Sequence, residues 1–492
     1  MDRAYQDLKK IFERKSILSG IDNILQWDLS TIMPEKSREN RTKQLSLLSE
    51  MKCEIFSNTK IKKLFKNVNR EELNNIDYSN FKEMQKVFLY FSSVPQRLIK
   101  KKTEMVAKCE GKWRKAKMSK NFNLVKKELS ELTKIVIEES KFLSDVHECS
   151  KYDALLKCYE YSYDTKKIEI LFEDLQKFIN QKYHVIVKNQ TGITYNKVQI
   201  NEKEQFELSK FFMKKLGFDF TRGRLDKSAH PFCGGSVGDI RITTRVNTED
   251  NFSAFEAVMH ETGHALYEQN LPKNWCYQPA GRSGGMALHE SQSLFIEMQI
   301  MKSNAFLHYL TKILNKKFFK KKSKVDFNNL YNLFNKVEKS FIRVEADEVT
   351  YPLHIILRFN LEKQIIENNL KIDDLPDIWN SEFKKIFGME IDNDSNGCLQ
   401  DIHWYAGLMG YFPTYTLGAI ISAQFAHQFR KDIKNLDQLI NTGELGIINR
   451  WLKKNIHKKA SFYSTDEILK NTTGRSLNLN YFKKYLQKKY ID

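Results

Sequence analysis

The residues His260-Glu261-Thr262-Gly263-His264 form an HEXXH pattern within residues 251–270, whose apolar spacing predicts a helix. Successive helical residues turn by about 100°, so the two histidines lie one turn apart on one face and can bind one metal ion. Glu261 can then take a proton from a water molecule beside that metal. A chain with 11 histidines in 492 residues contains this pattern by chance only about 0.01–0.02 times, which favours a metal site over two packed core histidines.

A catalytic zinc site needs a third protein ligand, which must come from another part of the chain. Glu290 lies 26 positions after His264 in a second predicted helix and is the first candidate. His289 competes with it because imidazole also binds zinc, but adjacent helical side chains point about 100° apart, so only one of the two is expected to bind. Glu268 and Glu297 are further candidates, and spacing alone does not decide among the four.

Outside this region the chain reads as a succession of helices. It contains only 20 Gly and 8 Pro in 492 residues, whereas the average protein contains roughly 7% and 5%. Such a scarcity of turn residues argues against a β-sandwich or barrel. Residues 238–246 alternate apolar and polar side chains and predict one of very few strands. No linker is visible, so we predict a single, mainly α-helical domain spanning residues 1–492 with a small β-sheet.

The composition limits the partners and the compartment. The net charge is +19, but most lysines are interleaved with acidic residues and Asn, which is typical of solvated helix faces rather than a nucleic-acid or membrane surface. The seven cysteines are widely spaced and include no CxxC pair, as expected of reduced cytosolic thiols. The N-terminus has no apolar signal segment, and no run of 18 apolar residues occurs. We therefore predict a cytoplasmic protein that binds neither nucleic acid nor membrane.

Six sequence blocks occur together in a characteristic order. They are HPF at 230–232, DXRXT at 239–243, HEXXH at 260–264, HESQS at 289–293, IRXXAD at 342–347 and GXXQDXHW at 397–404. With these blocks the sequence resembles the Taq-type metallocarboxypeptidase family, a group of zinc or cobalt exopeptidases. Trp27-Asp28 and Met33-Pro34 extend the resemblance over nearly the whole chain.

The resemblance implies a mainly helical clamshell, with two helical lobes of one domain around a deep central groove, a small β-sheet next to the metal helix, and a homodimer. It implies a metal-dependent carboxypeptidase that releases single amino acids from peptides with a free C-terminal carboxylate. The metal ligands would be His260, His264 and Glu290, and Glu261 would be the general base. Zn²⁺ is the expected metal, and Co²⁺ or Mn²⁺ also suit two imidazoles and a carboxylate.

Peptide hydrolysis also needs a hydrogen-bond donor for the developing oxyanion. The resemblance favours Tyr415 for this role and places His403 second, with Tyr411 close to both in the sequence. Each of these side chains can equally be a packed core residue.

A carboxypeptidase must also bind the terminal carboxylate, and the planar fork of arginine can bond both of its oxygens. The family motif favours Arg343, with His230 assisting and Arg241 as a weaker candidate. The alternative is structural: Arg343 would pair with Asp347, and Arg241 with Asp239. The remaining arginine candidates are Arg245 and Arg358.

Two other functions remain open from the sequence. The nearer one is an oligoendopeptidase or dipeptidyl carboxypeptidase on a similar helical fold. The more distant one is a basic RNA- or membrane-binding protein in which the metal serves only structure. Glu261 weighs against the latter, because a structural metal site does not need a base.

Overall fold

The computed structural model describes residues 2–57, 59–193, 200–228, 230–246, 252–318, 324–368 and 370–492. These residues form twenty α-helices and one three-stranded sheet. The helices are α1 (Arg3–Ser30), α2 (Arg38–Ser57), α3 (Thr59–Asn67), α4 (Asn75–Ser93), α5 (Gln96–Met118), α6 (Lys126–His147), α7 (Lys151–Leu156), α8 (Thr165–Asn189), α9 (Glu202–Leu216), α10 (Ser253–Asn270), α11 (Met286–Leu294), α12 (Asn304–Ile313), α13 (Phe327–Phe334), α14 (Tyr351–Glu367), α15 (Leu375–Phe387), α16 (Pro413–Asp432), α17 (Leu436–Thr442), α18 (Gly446–Asn455), α19 (Thr465–Thr473) and α20 (Asn480–Tyr490). The prediction of a mainly α-helical protein is confirmed.

The sheet is small and lies beside the helix that carries the HEXXH pattern. Its strands are β1 (Gly223–Lys227), β2 (Phe232–Ser236) and β3 (Asp239–Thr244), in the order β1-β3-β2. β1 runs parallel and β2 antiparallel to β3, so β3 is the central strand. β2 and β3 both contact α10, and α1 packs on β2. The strand predicted at 238–246 and the sheet predicted next to the metal helix are both present.

The two helices that carry the candidate ligands follow the predicted positions closely. The apolar spacing predicts a helix over 251–270, and α10 begins at Ser253 and ends at Asn270, before Pro272; residue 251 lies outside the described residues. α11 begins at Met286, as predicted, and continues directly into a π-helical segment, Phe295–Met301. π-Helical turns are rare and often occur at functional sites.

The chain divides into two compact units, and each is built from three separate stretches. Unit 1 contains residues 1–87, 192–336 and 418–482, and unit 2 contains residues 88–191, 337–417 and 483–492. The sheet, α10 and α11 all belong to unit 1, whereas the IRXXAD and GXXQDXHW blocks belong to unit 2. The assignment of the whole chain to one domain stays a prediction.

Two further observations concern the chain as a whole. Within the described ranges, no helix combines the length and the apolar character needed to cross a membrane. All seven cysteines are free thiols.

Candidate metal centre

Three side chains of unit 1 converge at the contact between α10 and α11. His260 and His264 lie one turn apart on α10, and Glu290 reaches both from α11. The Nε2 atom of His264 lies 3.3 Å from Glu290 Oε2, and the Nε2 atom of His260 lies 3.8 Å from Glu290 Oε1. The three ligand atoms all lie within 4.8 Å of one another, so this set of residues can hold one metal ion.

Two glycines allow the helices to approach closely enough to form this cluster. A Cβ atom on Gly263, the fourth residue of HETGH, would lie only 2.3 Å from the carbonyl oxygen of Gln292 in α11. A Cβ atom on Gly418 in α16 would lie 2.8 Å from both Cβ and Cγ of Glu290. Both distances are shorter than a van der Waals contact, so any larger residue would push the backbones apart.

The Nδ1 atoms of His260 and His264, which face away from the cluster, each contact another side chain. His260 Nδ1 lies 2.7 Å from Glu297 Oε2, and His264 Nδ1 lies 2.7 Å from Nδ1 of His289. The Nε2 atom of His289 lies 2.9 Å from a carboxylate oxygen of Glu268. Such contacts fix the ring orientation and the tautomer of metal-binding histidines, leaving each Nε2 for the metal.

The competing candidates are therefore separated by geometry. Glu290 alone joins the two histidines, whereas His289, Glu268 and Glu297 bind the outer ring nitrogens or one another. Glu297 and His289 each contact one histidine of the converging set, and Glu268 contacts His289, so none of the three is a member of the set.

An unpartnered oxygen atom of Glu290 also indicates that these residues suit a divalent metal, independently of their spacing in the sequence. Glu290 is 3% exposed, and its Oε1 atom has no hydrogen-bond partner among the described residues. A buried carboxylate oxygen without a partner is costly, and a cation held between it and the two imidazoles would satisfy it. Two imidazoles and one carboxylate are also a ligand set used by catalytic zinc.

The protonation states favour metal binding by two of the three groups. Burial alone would raise the pKa of Glu290, but the charges of His260 and His264 outweigh burial and lower the pKa to about 2. Burial, together with the nearby His289, lowers the pKa of His264 to about 4. An anionic carboxylate and a neutral imidazole are the forms that bind metals.

Glu261 lies beside this cluster in a different environment. Its side chain is buried, and the backbone amide of Cys233 in β2 faces the carboxylate. Burial is the largest influence and raises the pKa of Glu261 to about 7, although the charge of His260 acts in the opposite direction. The sheet thus contributes a backbone contact to the group that we predicted as the base.

A second polar cluster lies in unit 2 and joins the IRXXAD and GXXQDXHW blocks. Arg343 donates from Nε at 3.0 Å and from Nη2 at 2.8 Å to Oδ1 of Asp401, and Arg358 donates from Nε to Oδ2 of the same carboxylate at 2.7 Å. Burial alone would raise the pKa of Asp401, but the two guanidinium groups outweigh it and hold the pKa far below its usual range. The backbone N–H of Arg343 also donates to the side chain of Gln400 at 3.0 Å.

This cluster corrects one alternative from the sequence. The alternative pair between Arg343 and Asp347 does not form, because Arg343 bonds to Asp401 and Asp347 accepts hydrogen bonds from the backbone N–H groups of Val349 and Thr350. Arg343 is oriented by Asp401, 58 residues further along the chain, and this partner depends on tertiary structure rather than helical spacing.

The predicted oxyanion donors lie in the same unit and contact each other. His403 Nε2 lies 2.9 Å from the hydroxyl of Tyr415. The guanidinium carbon of Arg343 lies 4.8 Å from the centre of the Tyr415 ring, close enough for a cation–π contact. Tyr411 packs edge-on against Tyr415 with ring centres 5.3 Å apart. The structure thus brings Arg343, His403 and Tyr415 together.

The remaining candidates belong to unit 1. Arg241 in β3 forms a two-pronged pair with Asp239, with Nη2 to Oδ2 at 2.6 Å, and its guanidinium lies 4.4 Å above the ring of Trp27. The structural alternative for Arg241 is therefore present. His230 is exposed, and its backbone oxygen accepts a hydrogen bond from Thr243. Arg245 is exposed next to the end of β3.

The sequence did not reveal the roles of Asp401, Gln400 and Glu297. Asp401 and Gln400 stand inside the GXXQDXHW block, so the block itself was a signal that they matter. Glu297 lies seven residues after Glu290, which is two helical turns along the same face. That spacing could have indicated a second carboxylate facing α10.

Comparisons with known proteins agree with this arrangement. A family profile described as Carboxypeptidase Taq (M32) metallopeptidase matches residues 7–490. Carboxypeptidase 1 of Bacillus subtilis is 32% identical over 99% of this chain and 98% of its own, and thermostable carboxypeptidase 1 of Pyrococcus furiosus is 31% identical over the full length of both. The structure of Trypanosoma cruzi metallocarboxypeptidase 1 superposes with a TM-score of 0.95 at 32% identity, covering all of both chains. The HEXXH helix, the converging carboxylate and these full-length similarities lead to one conclusion: the chain belongs to the Taq (M32) family of metal-dependent carboxypeptidases.

Proposed function

We propose that this carboxypeptidase releases single amino acids from peptides with a free C-terminal carboxylate, with Glu261 as the general base. The observation that carries the proposal is the convergence of His260, His264 and Glu290 beside a buried Glu261. A metal site with a purely structural role would have no need for Glu261, because such a site does not require a base.

His260, His264 and Glu290 would hold the metal, and Zn²⁺ fits this ligand set best. When bound, the metal supplies Lewis-acid chemistry: it polarises the peptide carbonyl and makes a water molecule easier to deprotonate. Glu297 and His289 orient the two imidazoles through their outer nitrogens.

Glu261 moves the protons in this proposal. Its carboxylate accepts a proton from the attacking water as the new C–O bond forms, and later donates that proton to the departing amine as the C–N bond breaks. The protons balance, because water supplies a hydroxyl to the new carboxylate and a proton to the released amino group. The Cys233 backbone amide keeps the carboxylate oriented during both transfers.

The cluster in unit 2 has the chemistry to recognise substrate. We propose that Arg343 binds the terminal carboxylate and that Tyr415, supported by His403, donates a hydrogen bond to the developing oxyanion. Asp401 bonds Nε and Nη2 of Arg343, which orients the guanidinium and leaves its other N–H groups for a ligand. Arg241 and His230 stay weaker candidates for substrate binding.

Four peptides of one sequence test the reaction: free at both ends, blocked at the C-terminus by an amide, blocked at the N-terminus, and blocked at both ends. We expect stepwise loss of single C-terminal residues from the free and the N-terminally blocked peptides. Mass spectrometry identifies each product, and a chelator should stop the reaction. Release of dipeptides, or internal cleavage of the doubly blocked peptide, would support the oligoendopeptidase or dipeptidyl carboxypeptidase alternative.

The homodimer and the cytosolic location rest on family resemblance and on the cysteine pattern, and stay predictions. Sedimentation of the purified chain measures its oligomeric state directly.

A further inference from the structure

A cavity of about 770 Å³ lies within unit 1 beside the metal centre. Its wall includes His289, whose Nδ1 atom contacts the proposed ligand His264, and Glu268, which binds His289. It also includes Cys233, whose backbone amide faces Glu261. The cavity therefore adjoins both a proposed metal ligand and the proposed base.

Small residues leave this space open. One wall is formed by the end of β2 and the β2–β3 turn, residues 233–238, which include three glycines; the facing wall contains Ser16, Ser19 and Gly20 of α1. The Cβ atom that Gly20 lacks would lie 3.4 Å from the side chain of Ser236, so the two walls meet closely at one end. A volume of this size accommodates several peptide residues rather than one side chain.

Two cations of the cavity wall, Arg282 and the exposed Lys273, form no ion pair among the described residues, and of these two only Arg282 is partly buried. Arg282 lines the wall, and its Nη2 donates only a long hydrogen bond, 3.3 Å, to the hydroxyl of Ser16. Among the described residues, no carboxylate oxygen lies within 4 Å of its guanidinium. A partly buried guanidinium with most of its five donors unused is costly, because desolvation is not offset by pairing.

The other charged side chains around the cavity differ from Arg282 in whether they have a partner of opposite charge. Lys52 pairs with Asp22 at 2.7 Å, and Glu268 is bound by His289 and by the hydroxyl of Ser283. Lys15 lies near Arg282 and Lys52 and has no ion-pair partner among the described residues. Burial, followed by the charges of those two neighbours, lowers the pKa of Lys15 to about 7. The acidic groups of the wall are thus satisfied, whereas Arg282 is not.

We propose that Arg282 forms a binding subsite for an acidic side chain of the substrate peptide. This inference rests on the proposed function, and it assigns a substrate preference that the metal centre alone does not provide. Only one residue leaves in each turnover, so a cavity large enough for several residues holds the part of the peptide that precedes the scissile bond. The acidic residue is therefore one or two positions before that bond.

The contrast with the other arginines supports this choice. Arg241 is bonded to Asp239, Arg222 in the same cavity wall lies 2.8 Å from Asp219, and Arg343 is bonded to Asp401. Arg282 is the one of these four that no described carboxylate contacts directly; Glu268 of the same wall attracts its guanidinium only from beyond ion-pair distance.

The test compares matched peptides with Glu or Gln at each of the last three positions. For the wild type we expect kcat/KM to be roughly tenfold higher with Glu than with Gln at one of the two positions before the bond, as a charge-assisted hydrogen bond would give. Arg282→Gln should remove this preference, and Arg282→Lys should keep part of it. Hydrolysis of the Gln peptide shows that each variant is folded.

A matched control removes one positive charge from the same unit outside the cavity. Arg224 in β1 is exposed and bonded to Asp226, so Arg224→Gln should keep the preference for Glu. Equal rates for Glu and Gln peptides in the wild type would overturn the subsite, as would a preference that survives Arg282→Gln. An equal fall in kcat/KM for both peptides in Arg282→Gln would also overturn the subsite, because Arg282 would then not distinguish an acidic side chain from a neutral one.

Binding to Glu261→Gln protein separates this inference from the proposed function. Calorimetric titration of that variant with the same peptides measures affinity without turnover. Roughly tenfold tighter binding of the Glu peptide, lost when Arg282→Gln is added, supports the subsite even if the wild type hydrolyses neither peptide. Hydrolysis without discrimination, together with equal binding, overturns the subsite and leaves the proposed function standing.

Discussion

Glu261 and Glu290 are both buried carboxylates next to the same imidazoles, yet their surroundings shift their pKa values in opposite directions. Burial is the largest influence on each; it raises the pKa of Glu261 to about 7, whereas the charges of His260 and His264 reverse its effect on Glu290 and lower that pKa to about 2. Glu290 therefore stays anionic, as a metal ligand requires, and Glu261 can exchange a proton near neutral pH. Pairs of carboxyl groups separated in this way often divide the roles of an active site between them.

Glu261→Gln should keep the metal and lose turnover. The amide preserves the size of the side chain but cannot accept a proton, so we expect kcat to fall by about 10²–10⁴-fold while the metal content stays near one ion per chain. Glu290→Ala should instead lose both metal and activity. Steady-state kinetics and elemental analysis of the two variants distinguish these roles, and a Glu261→Gln enzyme with a wild-type rate would rule out the base.

The sequence alone predicted which histidines share a helix face, but it did not predict which side chain of a second helix would meet them. Helical spacing alone placed His260 and His264 on one face, because i and i+4 positions are fixed by the geometry of the helix. It left Glu290, His289, Glu268 and Glu297 unresolved, since their positions depend on how two helices pack. The family resemblance selected Glu290, and the structure shows it converging with the histidines.

At the scale of elements, the contact between α10 and α11 determines whether a metal centre can form. Gly263 lies within this contact, where its missing side chain leaves room for the backbone of Gln292 and Ser293. The same glycine is the fourth residue of HETGH, so one five-residue segment provides the two proposed histidine ligands and also the gap that admits the helix of the third proposed ligand. The carboxylate of Glu290 can reach the two histidines from α11 because Gly263 leaves space for the backbone of α11.

Gly263→Ala should separate the two helices and weaken metal binding. The new Cβ atom would lie 2.3 Å from a carbonyl oxygen and 2.5 Å from the Cα atom of Ser293, both rigid backbone atoms. We expect a loss of about 1–3 kcal/mol in the free energy of unfolding, typical of overpacking. Denaturant titration and zinc affinity measure the two effects.

Gly111 provides the control for this change. It lies inside α5, and an added Cβ atom would meet nothing within 4 Å. Gly111→Ala should stabilise the protein by about 0.5–1 kcal/mol, because alanine favours a helix over glycine. If Gly263→Ala behaved in the same way as Gly111→Ala, the close approach of α10 and α11 would not be a constraint.

The periodicity of the sequence predicted the elements that position the site but not their local irregularities. The start of α11 at Met286 and the strand β3 followed from loop residues and alternation. The π-helical segment Phe295–Met301 did not, because its side-chain pattern hardly differs from that of an α-helix and only the hydrogen bonds reveal it. Glu297, which contacts His260, lies in this segment.

At the scale of the molecule, metal binding should contribute to stability as well as to catalysis. The three proposed ligands come from α10 and α11, so an ion that binds only the folded state should add about 2.7 kcal/mol when its concentration is 100 times its Kd. We expect removal of the metal to lower Tm and readdition of Zn²⁺ to restore it. Calorimetry of wild type and Glu290→Ala measures this, and an equal response of the variant to zinc would contradict the assigned ligand set.

The composition predicted the helical architecture of the whole chain, because scarce Gly and Pro leave few places for tight turns. The six ordered blocks identified the family, which the full-length comparisons confirm. The resemblance implied two helical lobes, but the stretches that form each compact unit could not be predicted, since each unit gathers stretches that are far apart in the sequence. Contacts such as that between Arg343 and Asp401 depend on this gathering and leave no periodic signal.

The interleaving of the two units has a consequence for synthesis on the ribosome. Unit 1 needs residues 418–482, which include Gly418 against Glu290, so the metal centre cannot reach its final packing until most of the polypeptide has emerged. Unit 2 needs residues that follow these: the side chains of Tyr485, Lys489 and Tyr490 bind the buried Glu348. Nascent chains of this protein therefore expose unfinished surfaces until residues 483–490 have been made, and chaperone protection matters most during that time.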